Sequence, residues 1–419
     1  MSFFFTLLLT ALIYIRPQEY VEAIKGWPLV DYTAAACLAG VFLEGGFAAA
    51  KLKRSPVPAM LLFFWIWIGL SWLPNGWLGG VTGKFIAFSP VAINCYLIIL
   101  TIDSFAKLKT YIWTLVLLCS FLVAEAMVQF YTGVGLTGST GIQQKGVDQA
   151  IGVGIFADPN DLALNIVPLT AFLLPAFHRG LMSRGWLPGV VLLAPFVNAI
   201  ILTRSRGGLL GLASVAWMYL RSRAGMIIAG VGVAMVLALM TAVPRFESID
   251  TQESSARARL DHWAYGLSLF KSSPIFGVGQ GNFIDAGSYT HTAHNSFILV
   301  LAETGFVGAF LWVGMIFCSF KQLRAMRLDD RAPPWVENFC HSMETALVGW
   351  MTCAFFLSQS FKPLLFMFMA MAVAAMNVVS NIGAEQIVAW DGKLALIIAG
   401  LTVFMIIFMH LAVRFLFNM

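Results

Sequence analysis

Residues 294–319 read HNSFILVLAETGFVGAFLWVGMIFCS, an apolar run entered through a His-Asn pair and carrying one carboxylate, Glu303, about two and a half turns in. At 1.5 Å per residue the apolar part is long enough to cross a bilayer core of about 30 Å. An apolar helix needs no His to start, so an imidazole where such a helix meets water asks for a chemical reason. Comparable runs recur at about 2–15, 29–47, 57–73, 85–101, 110–131, 159–177, 186–203, 207–220, 224–243, 342–360, 363–381 and 393–417. The expectation is an all-α polytopic membrane protein with about 12–13 transmembrane helices and an outer loop that carries a short interfacial helix.

Composition agrees with this reading. The chain is 59% hydrophobic and 11% charged, and its mean hydropathy is +0.82, which leaves too little polar surface to cover a soluble domain. In lipid the backbone must satisfy itself, and these runs are too long for barrel strands, so they are helices. The first run lacks a basic start and a small-residue cleavage site and reads as a retained helix. The six cysteines, Cys37, Cys95, Cys119, Cys318, Cys340 and Cys353, stand singly in or beside apolar runs. Neither disulfides nor a thiolate metal site is expected. The whole chain, 1–419, reads as one integral membrane domain with two sizeable outer loops, 132–158 and 244–294.

Alternate loops are basic: Lys51, Lys53 and Arg54; Lys107 and Lys109; Arg179 and Arg184; Arg221 and Arg223; Lys321, Arg324, Arg327 and Arg331. The positive-inside rule makes these loops cytoplasmic and puts the N-terminus inside. Arg16, Lys25, Lys84, Lys145, Arg204, Arg206, Arg245, Arg257, Arg259, Lys271 and Lys362 then fall on the outer side, where topology gives no reason for them. Cations on that side suggest an anion to be bound.

Within TRSRGG, 203–208, Arg204 and Arg206 sit on a tight outer turn. Arginine suits bidentate contact with phosphate oxygens, although arginines near helix ends also snorkel. In SSARARLDHWAYGLSLF, 254–270, a stripe of Ala256, Leu260, Trp263, Leu267 and Phe270 is expected of a helix lying in the interface. Arg259 falls at the edge of that stripe, facing a cleft, and Arg257 nearly opposite. Gly277, Gly279 and Gly281 are not a nucleotide fingerprint, for no βαβ unit surrounds them; they permit a close-packed loop returning the chain to the surface. His294 has the ordinary imidazole pKa of about 6.5 that suits a general base. His291 and His294 form an HxxH pair, but no third zinc ligand follows at a metal-site spacing. Glu303 needs a partner in the membrane, and Arg206 or Arg259 is the expectation. Gly305 and Gly308 let another helix approach. Asp158 or Asn160 caps the sixth span, or contacts a sugar hydroxyl or a cation.

Taken in order, FADPNDLAL (156–164), LTRSRGGLLGL (202–212), RLDHWAYGL (259–267), SPIFGVGQGNF (273–283) and HNSFILVLAETGFVG (294–308) resemble the O-antigen ligase and O-antigen polymerase superfamily of membrane glycosyltransferases. IYIRPQEY (13–20) resembles the exosortase-associated O-glycosylation ligases. The resemblance implies a bacterial inner-membrane enzyme that works on the periplasmic face without metal or cofactor. Its implied partners are an undecaprenyl-diphosphate-linked glycan, a glycan, lipid or protein acceptor, and membrane lipids, with no nucleic acid. It makes Arg206 and Arg259 the diphosphate clamp, His294 the catalytic residue, and Arg204, Lys84, Asn295, Glu303, Asn160 and Asp158 further substrate contacts or supports, with 244–294 the catalytic loop. Lys84 is read as following a WLGG turn. A polymerase of the same superfamily, a lipid-linked oligosaccharide flippase and a non-catalytic scaffold are the competing readings. A transporter is expected to show repeat symmetry or interrupted helices.

Overall fold

The computed structural model describes residues 1–45, 49–144, 147–174, 187–242, 249–287, 291–383 and 387–417. Lys145, Arg179, Arg184 and Arg245 lie outside the described residues.

Fifteen helices follow one another in the described residues: α1 Ser2–Ile15, α2 Leu29–Leu43, α3 Ala49–Lys53, α4 Val57–Leu70, α5 Leu78–Thr101, α6 Phe105–Thr132, α7 Pro159–Leu173, α8 Leu187–Thr203, α9 Arg206–Ala224, α10 Met226–Ala242, α11 Ile249–Ser272, α12 Ser296–Arg327, α13 Pro334–Ala354, α14 Pro363–Asn381 and α15 Gly392–Phe417. Thirteen of them coincide with the apolar runs, α11 contains the helix expected over 254–270, and α3 is the addition. Six, namely α4 with the turn that follows it, α5, α6, α12, α14 and α15, are long and apolar enough by themselves to cross a membrane. The chain is a multi-pass membrane protein. The all-α reading holds apart from a small antiparallel hairpin in the first outer loop, β1 Ile142–Gln144 against β2 Val147–Gln149.

Local chemistry sets the helix starts. Ser104, Asp158, Ser205 and Asn295 each accept backbone N–H groups at the N-termini of α6, α7, α9 and α12, satisfying donors that a helix leaves open. Proline stands in the first turn of α7, α13 and α14, where its missing N–H has no cost. The centre of the bundle is α14, buried along its whole length, whereas α15 leaves most of its surface uncovered and presents it to lipid. Along α1, Thr6, Thr10 and Tyr14 form a buried polar stripe whose hydroxyls meet Cys37, Thr101, Asn94, Tyr111 and Asn165, the interhelical glue typical of membrane bundles. All six cysteines are free and buried.

The bundle has two chemically distinct ends. At one, Lys51 donates to the Leu100 carbonyl (2.7 Å), Arg54 reaches Asn377 and Asn381, and Arg327 pairs with Glu344 at 2.7 Å. At the other end of the same helices lie the 203–208 turn, the start of α7, the start of α12 and the connection between α13 and α14. Lys51, Arg54 and Arg327 therefore occupy the end opposite the 203–208 turn and the start of α12.

The unexpected element is a break inside α12. Gly305 has φ 63° and ψ −164°, a conformation essentially restricted to glycine. The 273–283 loop fills the break: Val278 N–H donates to the Ala302 carbonyl (2.9 Å), Gly279 N–H to that of Glu303 (3.0 Å), and Phe306 N–H to that of Pro274 (2.8 Å). Trp67 of α4 donates to the Thr304 carbonyl at 2.8 Å. These four backbone groups at the break are thereby satisfied, as an apolar surround demands. Gly277 is needed because a Cβ there would meet the Glu303 and Thr304 backbone at 2.4–2.6 Å. The loop is close-packed as its glycines suggest, Gly277 and Gly279 being buried, and the chain is exposed again from Ile284 to Gly287.

Candidate active site

The arginine turn is positioned by close helix packing. A Cβ on Gly208 would stand 2.6 Å from that of Ala163, and one on Gly211 would stand 2.2 Å from the Cys353 sulfur, so α9 approaches α7 and α13 nearly backbone to backbone. This fixes Arg206, the first residue of α9, and Arg204, which has a left-handed φ of 52°. From the outer loop, Ala150 N–H donates to the Leu202 carbonyl and Gln149 to that of Thr203, both at 3.1 Å.

Helix α11 carries Arg257 exposed and Arg259 half-buried. Its apolar stripe packs on protein: Trp263 and Leu267 are buried in a cluster with Ile298, Leu299 and Ala302 of α12 and Met409 and Val413 of α15. The side chain of Ala256 lies outside the described residues. The same helix presents His262, whose ring lies 6.2 Å from those of both His291 and His294, which are themselves 6.0 Å apart. Reading HxxH alone missed this third imidazole. The i,i+3 spacing of Arg259 and His262 was the available signal. Among the described residues no three such groups are close enough to hold a metal ion.

His294 itself has a left-handed φ of 47°, strained for a residue with a Cβ. Its pKa is pushed down to about 4, first by burial, then by the positive field of Arg259 and by His262 and His291, with Asp158 opposing. The imidazole is therefore neutral at neutral pH and able to accept a proton.

Several of the expected substrate contacts have structural partners of their own. Asn295 is fully buried and caps α12, its Oδ1 accepting Phe297 N–H (2.9 Å) and Ile298 N–H (3.1 Å). Asp158 caps α7 through Asn160 N–H and Asp161 N–H at 2.8 and 3.2 Å. Asn160 accepts the Ser205 hydroxyl at 2.8 Å, which ties the start of α7 to the arginine turn. For Glu303 the expected arginine partner is replaced by backbone: its carboxylate, 2% exposed, accepts N–H groups from Phe283 (3.3 Å) and Gly281. Burying a carboxylate at the break makes sense because the loop supplies donors there. Lys84 sits within α5, not beyond a turn; its ammonium lies 5.5 Å over Trp72, beside Gly281 and in reach of Glu303. Lys84 of α5 and Glu303 of α12 thus both meet the loop that fills the break in α12.

A polar connection that the sequence reading passed over joins the two chemical turns. In the 357–362 loop, LSQSFK, the Ser358 hydroxyl accepts His294 N–H (2.9 Å) and the Thr292 hydroxyl (2.8 Å). Ser296 donates to the Leu357 carbonyl (2.6 Å) and accepts Gln359 N–H (2.8 Å), and Ser360 donates to the Ser296 carbonyl (2.6 Å). The Gln359 amide donates to the Asp161 carboxylate. Ser-Gln-Ser at the end of the 342–360 run, which as a helix stops at Ala354, was the visible signal.

Residues 189–313 match the family model described as O-antigen ligase. The matched stretch holds Arg204, Arg206, Arg259, His294, Asn295 and Glu303, and over this part the chain is similar to the O-antigen ligase family. Lys84, Asp158 and Asn160 lie outside it. Comparison with curated proteins gives no match.

Proposed function

We propose that this chain, an O-antigen ligase or polymerase type of membrane enzyme, moves a glycan from an undecaprenyl-diphosphate carrier to an acceptor hydroxyl on the periplasmic face, with inversion at the anomeric carbon. The observation that carries the reading is a neutral, partly buried imidazole, His294, within the field of Arg259 and hydrogen-bonded through its own turn to the loops that frame Arg206. In the reaction the acceptor oxygen attacks the anomeric carbon as its proton passes to His294. The bond from that carbon to the diphosphate breaks, and the electron pair leaves with the diphosphate. Arg206 and Arg259 stabilise the departing charge in a site where water is sparse and such contacts are strong. A diphosphate already leaves well, so no strong general acid is needed. The donor's negative charge also offsets the field that depresses His294, so the base gains strength as the donor binds.

The break in α12 favours a second reading, a lipid-linked oligosaccharide transporter, since interrupted helices line many transport sites. Here the break is filled by the 273–283 loop backbone, which supports the enzyme reading. The test is the purified chain with a defined polyprenyl-diphosphate oligosaccharide and candidate acceptors. Release of polyprenyl diphosphate coupled to acceptor growth is the expected result, and its loss in Arg206→Ala, Arg259→Ala and His294→Ala at normal membrane levels supports the assigned roles. Donor movement across a bilayer without cleavage would establish the transporter instead. Growth of the glycan chain itself, as against a lipid or protein acceptor, separates polymerase from ligase.

A further inference from the structure

The left-handed backbone of His294, φ 47°, is strained for a residue with a Cβ, and something must hold it there. The holder is visible. Ser358 accepts the His294 N–H, and the Thr292 hydroxyl converges on the same oxygen. The residues on either side of Ser358 clamp Ser296 through three further bonds. Ser360 and Ser296 are fully buried and Gln359 nearly so, so none of these bonds competes with water.

The same short loop faces the other way through Gln359, whose amide meets the Asp161 carboxylate. Asp161 is in the first turn of α7, one residue after Asn160, which accepts the hydroxyl of Ser205 immediately before Arg206. Hydrogen bonds and short stretches of backbone thus run from the imidazole turn to the arginine turn: His294, Ser358, Gln359, Asp161, Asn160, Ser205. α12, α7 and α9 contribute the turns and the α13–α14 connection bridges them. A geometry requirement of the chemistry matches this layout. An acceptor hydroxyl and a leaving diphosphate lie on opposite sides of one carbon, so the base and the clamp must keep a set separation.

We propose that Ser358 and Gln359 are positioning residues of the transfer reaction, Ser358 holding His294 in its left-handed conformation and Gln359 bracing that turn against the one bearing Arg206. The proposal rests on the glycosyl-transfer reading. The charged and titratable groups that face His294 are Arg259 and His262 of α11, His291 of its own turn and Asp158 ahead of α7; Asp161 and Lys362 face the far side of the strut.

The experiment uses the full chain in lipid nanodiscs, a defined polyprenyl-diphosphate oligosaccharide and the acceptor it serves, with kcat and donor KM followed across pH. Ser358→Val removes the hydroxyl at nearly the size of Ser358→Thr, which keeps it. The expected result is a loss in kcat on the order of 100-fold for Ser358→Val with donor KM unchanged. The acid limb of its pH profile moves up toward the ordinary imidazole value of about 6.5, because a loosened turn admits water. Ser358→Thr restores both. Gln359→Asn, one methylene short of Asp161, gives the same pair of changes and serves if Ser358→Val fails to fold. Equal behaviour of the Val and Thr variants, or lost kcat with the limb unmoved in both Ser358→Val and Gln359→Asn, overturns the proposal. Absence of polyprenyl diphosphate release by the unmodified chain refutes glycosyl transfer itself, a different outcome from release by the parent with an unmoved limb in the variants.

Discussion

Replacing Gly305 by alanine is the most direct test of the break in α12. At φ 63° and ψ −164°, a side chain costs about 1–3 kcal/mol in backbone strain alone. Its Cβ would also stand 2.2 Å from the Ile275 oxygen, 2.4 Å from the Ile275 carbonyl carbon and 2.7 Å from the Gly277 nitrogen. All three are backbone atoms, so the loop must move as a body. Moving it gives up the bonds from Val278 to Ala302, from Gly279 to Glu303 and from Phe306 to Pro274, each worth about 1 kcal/mol net. The sum is about 4–6 kcal/mol, a large share of the stability of an ordinary fold, roughly 5–15 kcal/mol. Trp67 stacks on Phe276 at 4.9 Å and Trp72 donates to the Gln280 carbonyl at 3.0 Å, so indole fluorescence reports the loop. Denaturation of Gly305→Ala in detergent, followed by that signal, is expected to show the loss together with abolished transfer. Gly400→Ala, in α15 with nothing within 4 Å of the added Cβ, is the matched control and gains up to about 1 kcal/mol from helix propensity. A Gly305→Ala protein within about 1 kcal/mol of the parent and fully active would refute the broken helix.

Two further outcomes follow from the site. With the pKa of His294 pushed down to about 4, about nine-tenths of it is neutral at about pH 5, where an unperturbed imidazole would be mostly charged. The acid limb of kcat/KM is therefore expected near 4, with that of kcat at higher pH because bound diphosphate raises the base; a kcat/KM limb near 6.5 contradicts the burial and cation field described. Asn295→Ala removes the cap of α12 and is expected to cost about 1 kcal/mol or somewhat more, measured by denaturation, without raising donor KM. A raised donor KM with unchanged stability would return Asn295 to the substrate.

Much of the site was legible because several of its residues break a local rule. Arg204 and Arg206 stand at the end of the bundle where charge balance did not require them, and His294 opens an apolar helix that needed no imidazole. Arg259 could be separated from Arg257 by helical phase alone, and the structure half-buries the one and exposes the other. Glu303 was recognisable as a buried carboxylate in need of partners. Its partners were not, since backbone N–H groups of a distant loop leave no mark in residue types. Lys84 was misjudged for a related reason: WLGG reads as a turn by composition, yet α5 begins at Leu78 and carries the lysine inside it, helix packing overriding the weak preference of glycine.

Hydropathy alone determined that this chain is a bundle of membrane helices, because lipid forces each apolar run to satisfy its own backbone. Whether a run stays continuous was left to tertiary structure, since a glycine in an apolar segment is compatible with close helix contact or with a break. At Gly305 the outcome depends on donors and acceptors from a loop some twenty to thirty residues earlier. The triangle of His262, His291 and His294 and the bridge from Ser358 to Asp161 were likewise decided only by folding. They join residues from separate helices through hydrogen bonds and ring contacts, interactions that depend on distance in space and not on order along the chain.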